Sequence, residues 1–138
     1  MPVHNVKRRE DTLLGAVNSK QPLASINTNT TITAEQTGTM FIVSRQSGGS
    51  GCVISLPATQ AGLEHKFFIL TLPTDRVPHA LSPVAADKFI GLGLSGVDHK
   101  DLQHPVASDA IGDWVHIVAD GNDGWLIDGA RGTFAIES

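Results

Sequence analysis

The chain has no tyrosine and a single cysteine, Cys52, and only 5% of its 138 residues are aromatic. One cysteine excludes an internal disulfide framework and any cysteine-based zinc cluster. Charge is thin as well: Asp, Glu, Lys and Arg make up 17%, too little for a disordered polyelectrolyte, while 41% of residues are apolar, enough for a packed core. No run approaches the roughly 18 apolar residues of a membrane-spanning helix. The N-terminus does not read as a signal peptide, because Lys7, Arg8 and Arg9 lead into Glu10, Asp11 and only a short apolar patch. Ten basic against 14 acidic residues leave a net charge of -4, which disfavours bulk binding to nucleic acid. At this length the expectation is one soluble, non-secreted domain with one core.

What is present is patterned unevenly. Residues 1–97 hold eight basic and six acidic groups, whereas residues 98–138 hold two basic and eight acidic. Residues 1–22 combine the basic triplet with Leu13, Leu14, Ala16 and Val17 and close on Pro22, without sustained helical or strand periodicity. They read as an extended arm. A short helix over Thr12 to Ser19 competes with that reading, but Gly15 inside it costs about 1 kcal/mol relative to Ala.

Residues 23–138 read as one all-β domain. Ser25 to Thr33 is Thr-rich and β-branched and marks a first strand region. Gln36 to Gly38 is a turn, Thr39 to Ser44 a second strand, and Ser47 to Gly51 a loop. Cys52 to Leu56 is a third strand stopped by Pro57, and Phe67 to Leu72, closed by Pro73, is the best candidate for a strand buried on both faces. Prolines and glycines between Thr74 and Ser108 favour short strands and long loops over helix. At the C-terminus, Trp114 to Ala119, Trp125 to Ile127 and Thr133 to Ile136 read as three antiparallel strands joined by turns at Asp120 to Gly124 and at Asp128-Gly129. Together these predict a compact antiparallel β-sandwich or barrel of jelly-roll-like type.

Groups that could carry chemistry read more simply as structure. His99 with His104, and His116 with Asp120, are the nearest candidate ligand pairs, but neither has the spacing of a metal site, so each histidine reads as packed or solvated. Asp120 to Gly124 concentrates carboxylates beside glycine, as a calcium loop would. It lacks the later bidentate Glu and matches a tight turn better. No Gly-Lys-Ser/Thr follows the Ser47 to Gly51 loop, so it reads as a flexible loop and not as a phosphate cradle. Cys52, beside Val53 and Ile54, reads as a small buried residue. The Arg131-Gly132-Thr133 ending is similar to that of dUTPase-type hydrolases, but their substrate motif needs a tyrosine and no Gly-Phe-Gly follows. No acid, base or nucleophile set converges, and the expectation is a protein that is not an enzyme and needs no cofactor or metal.

The arm is the more informative segment. Fixing about 20 residues of backbone costs on the order of 20 to 40 kcal/mol, which its few apolar side chains cannot offset alone. It is expected to order on a partner, with Lys7, Arg8 and Arg9 meeting acidic groups and Leu13, Leu14 and Val17 filling an apolar groove.

The stretches TNTTITAEQTGTMFIVS, CVISLPATQAGLEHKFFIL and GDWVHIVADGNDGWLIDGARGTF carry a family likeness. A strand ending in Leu56-Pro57-Ala58, a turn at Gly62-Leu63, an aromatic-aliphatic strand at Phe67 to Leu70, and a close with Trp114, turn and Trp125 resemble small structural proteins of tailed phages. The likeness spans roughly residues 28–134, and with the arm it is most like the head decoration, or cement, proteins. It implies a homotrimer on the outer surface of the expanded virion capsid, assembled in the host cytoplasm, that binds the major capsid protein and stabilises contacts between its subunits, with no direct contact to nucleic acid or membrane. A tail, vertex or head-fibre module is the first alternative. A small ligand- or glycan-binding β domain is the second, with Trp114 and Trp125 as the candidate self-association or ligand surface.

Overall fold

The computed structural model describes residues 20–138. Among them are eleven strands, two single-turn 3-10 segments (Ala34–Gln36 and Val106–Ser108) and no α-helix. The strands are β1 (Leu23–Ile26), β2 (Thr30–Thr31), β3 (Met40–Val43), β4 (Val53–Ser55), β5 (Glu64–Ile69), β6 (His79–Ser82), β7 (Lys88–Ile90), β8 (Leu102–His104), β9 (Trp114–Ala119), β10 (Gly124–Arg131) and β11 (Ala135–Ile136). They form two mixed sheets. Sheet A has the order β1-β3-β5-β9-β10-β7 and sheet B the order β11-β8-β6-β4-β2.

From β1 to β8 each successive strand lies in the other sheet. The same-sheet neighbours β1/β3, β3/β5, β2/β4 and β4/β6, each separated by one strand of the other sheet, are parallel, whereas β6/β8, separated by β7 in the same way, is antiparallel. The expectation of a wholly antiparallel arrangement is corrected here: five of the nine pairings, with β7/β10, are parallel.

Alternation within strands decides what each buries. In β3, β5 and β9 every second residue is buried, which turns Phe41, Val43, Phe67, Ile69, Val115 and Ile117 inward. With Ile54, Leu81 and Leu102 of sheet B, Leu56 just after β4, and the Trp125 indole they form one apolar cluster. Phe41 and Phe67, neighbours in register, stack with centroids 5.4 Å apart. Burying each such side chain contributes roughly 1.5 to 3 kcal/mol.

Three further expectations change. The Ser25 to Thr33 region is two strands in different sheets, and the crossing is pinned by Asn29, whose Oδ1 accepts the Val53 N–H at 2.8 Å as β4 begins. The Phe67 to Leu72 run is covered on one face only: β5 starts earlier, at Glu64, Phe68 points outward half-buried, and Leu70 is exposed. Asp128-Gly129 is no turn. β10 continues through it with a bulge that sets two residues against His116, and the last strand, β11, leaves to pair with β8 in sheet B. The turn at Asp120 is as expected: its Oδ1 accepts the N–H groups of Asn122, Asp123 and Gly124 at 2.8 to 3.0 Å.

Candidate functional site

The outward residues of β5 and β9 face each other in register, as Glu64 with Val118, Lys66 with His116 and Phe68 with Trp114. On the far side of β9 the bulge in β10 brings both Asp128 and Gly129 level with His116. One polar and aromatic cluster results on the outer face of sheet A. His116 Nδ1 lies 2.5 Å from Asp128 Oδ1, and its Nε2 lies 3.4 Å from Glu64 Oε2. The Lys66 ammonium sits 4.3 Å from the centroid of the Trp114 ring. Beneath that ring is Gly129, where a Cβ would come within 3.2 Å of the indole. Lys66, Trp114, His116, Asp128 and Gly129 line an open hollow of about 330 Å³, and a smaller one of about 90 Å³ adjoins it between Gln21, Gly38, Glu64 and His116.

This cluster holds its parts in place more than it exposes reactive atoms. Both nitrogens of His116 face carboxylates, whose oxygens accept from an imidazole N–H and fix the ring between Glu64 and Asp128. Among the described residues no three His, Cys, Asp or Glu side chains converge as a metal site would require. The array offers an ordered surface carrying both signs of charge around an indole.

The remaining histidines among the described residues lie elsewhere. His99 is in an exposed loop with a left-handed backbone. His104 is buried, its Nε2 2.7 Å from Asp113 Oδ2. His79 is buried with Nδ1 accepting the Cys52 N–H at 3.0 Å, which leaves the proton on Nε2 to donate to the Thr71 carbonyl at 2.9 Å. Burial pushes its pKa below the ordinary histidine value, against the opposing pull of that carbonyl. His65 is fully buried among Phe41, Phe67 and Trp125. Desolvation, with some repulsion from His116, lowers its pKa to about 4. Cys52 is fully buried, its thiol 3.1 Å from the Ser44 carbonyl, and burial raises its pKa.

Trp125 has no exposed surface, so its place in a self-association or ligand surface is corrected: it faces inward from β10 and packs against His65. Trp114 is half-buried on the outer face. Lys7, Arg8, Arg9, Leu13, Leu14 and Val17 lie outside the described residues. Sequence reasoning passed over Glu64, Lys66 and Asp128. The alternation of β5 and β9 marks their faces, but nothing local says that these strands pair, and Asp128-Gly129 carries a turn signal. No protein-family model matches this chain, and no curated protein matches it.

Proposed function

We propose that this chain is a decoration, or cement, protein of a tailed-phage head. In this reading it sits as a homotrimer on the outer surface of the expanded shell, binds the major capsid protein and clamps neighbouring coat subunits against the outward pressure of packaged DNA. It needs no cofactor and touches neither nucleic acid nor membrane. Its two sheets are read as the layers of a compact sandwich, jelly-roll-like in layering though not in strand direction.

The supporting observation is the place of β1. The first strand of the domain is an edge strand, paired among the described residues with β3 alone, and it carries an exposed Leu23. A chain that enters on an edge strand brings its preceding residues to the rim of the domain. Fully extended, 22 residues reach at most about 75 Å. A compact domain whose first strand lies at its rim suits a clamp, and repeated weak contacts around a symmetric assembly add avidity.

The test is to mix the purified protein with expanded, decoration-free shells, sediment them, and count bound copies by quantitative mass spectrometry. Copies on the order of hundreds, in multiples set by icosahedral three-fold sites, support the reading. About a dozen or fewer would indicate a tail, vertex or head-fibre part, and no binding would overturn it. A ligand- or glycan-binding domain is the second reading, favoured by the hollow beside Trp114. It requires Trp114 fluorescence to respond to added saccharide.

A further inference from the structure

The two sheets differ on their outward faces. Sheet B carries Thr31, Ser55 and Ser82 in one register row, and Val53, Gln103 and a buried Ala80 in the next, with no large aromatic residue in either. Outward positions on sheet A are large and apolar in two bands. Ile42, Phe68 and Trp114 lie in register across β3, β5 and β9, and Val118, Leu126 and Ile90 across β9, β10 and β7. All six are half-buried or exposed, and Leu126 is 38% exposed. A row of charged groups separates the bands, with Lys66 on one side of His116 and Asp128 on the other.

We propose that the outer face of sheet A is a contact between two copies of this chain, related by a two-fold axis running along β9. β9 is flanked by β5 and β10, so rotation about such an axis lays β5 of each copy over β10 of the other. Register rows are preserved by that rotation. Lys66, level with His116 on β5, then meets Asp128 of the second copy, level with His116 on β10, and the contact is made twice. Phe68 comes over Arg131 and Trp114 over its own counterpart in the same way. Charge complementarity across the face therefore rests on the Lys66–Asp128 contact, while each flanking band is apolar apart from one charged residue, Arg131 level with Trp114 and Glu64 level with Val118, and His116 meets its own counterpart on the axis. At about 4.8 Å between strands and about 3.4 Å per residue it spans at most roughly 600 Å². That is near the lower limit of a stable interface, so the dimer is expected to depend on concentration.

This pairing is distinct from the three-fold assembly proposed above and rests on the face alone. It is tested by sedimentation velocity of the full chain over a range of concentrations, with far-UV circular dichroism to confirm folding. The wild type should move from the mass of one chain, 14.6 kDa, toward twice that value. Phe68→Glu and Lys66→Glu should each weaken the dimer about tenfold or more, and the double exchange Lys66→Glu with Asp128→Lys should restore it. Gln103→Glu, on the outer face of sheet B, should leave it unchanged. A wild type that stays monomeric throughout, one that forms trimers, or a dimer indifferent to Lys66→Glu would each overturn the proposal. Failure here with intact shell binding leaves the decoration reading standing.

Discussion

His104 and Asp113 are joined side chain to side chain at 2.7 Å with both residues buried, and the bond ties the two sheets together. His104 ends β8 in sheet B, and Asp113 immediately precedes β9 in sheet A. The same carboxylate accepts the Ala110 N–H at 3.1 Å, while His104 Nδ1 has no hydrogen-bond partner. Asp113→Ala would leave the imidazole buried with no hydrogen bond, and is expected to cost about 3 kcal/mol in urea unfolding. Gly132→Ala should act by the same route. Gly132 has φ +98, and a Cβ there would fall 2.3 Å from the Asp113 carboxyl carbon. Strain and displacement together are expected to cost about 2 kcal/mol or more. Losses below about 1 kcal/mol in both variants would mean that the tie carries little of the stability.

His65 makes stability depend on acid. Its folded pKa, about 4, lies below the ordinary value of 6.5, so the unfolded chain binds this proton more readily. Above pH 6.5 the residue is neutral in both states and carries no penalty. As pH falls from 6.5 through 4 the unfolded state is favoured progressively, by about 3 kcal/mol in all. His65→Phe should remove that part of the pH dependence. Denaturant unfolding of both proteins at pH 7 and pH 4 checks it, and equal losses in the two would assign the acid sensitivity elsewhere.

Cys52 is expected to be silent toward thiol reagents in the folded protein. Burial removes access, and the raised pKa leaves little thiolate to react. Labelling followed by mass spectrometry should therefore track global unfolding as urea is added. Rapid labelling without urea would mean that the start of β4 opens locally.

Charge reversal at Lys7, Arg8 and Arg9 should weaken binding to expanded shells, with the largest difference from wild type at low salt. Truncation of residues 2–20 should weaken binding further while circular dichroism stays unchanged. Unaltered binding by the charge-reversed protein at low salt would remove the electrostatic part of the clamp.

Local pattern made most of the strands legible. The alternation in Met40 to Val43 and Trp114 to Ala119, the proline after Leu56 and the aspartate-glycine turn at Asp120 all act through near neighbours in the chain, so their outcome is written in adjacent residues. The bulge at Asp128-Gly129 was hidden because the residues that suit a turn also suit a strand irregularity. Only the partner strand, with Trp114 lying over Gly129, distinguishes the two.

By itself the amino-acid sequence determined an all-β chain with a thinly charged surface and a buried Cys52, because burial periodicity and turn chemistry are local properties. The tertiary structure alone decided which sheet each strand joins, and hence that five of the nine same-sheet pairings run parallel and that Glu64, Lys66, Trp114, His116 and Asp128 share one face. Alternation gives a strand two faces but does not name its neighbours. Those follow from how distant apolar faces pack together, as Trp125 shows: it is the same residue type as Trp114, eleven positions along, turned inward by its strand and buried completely.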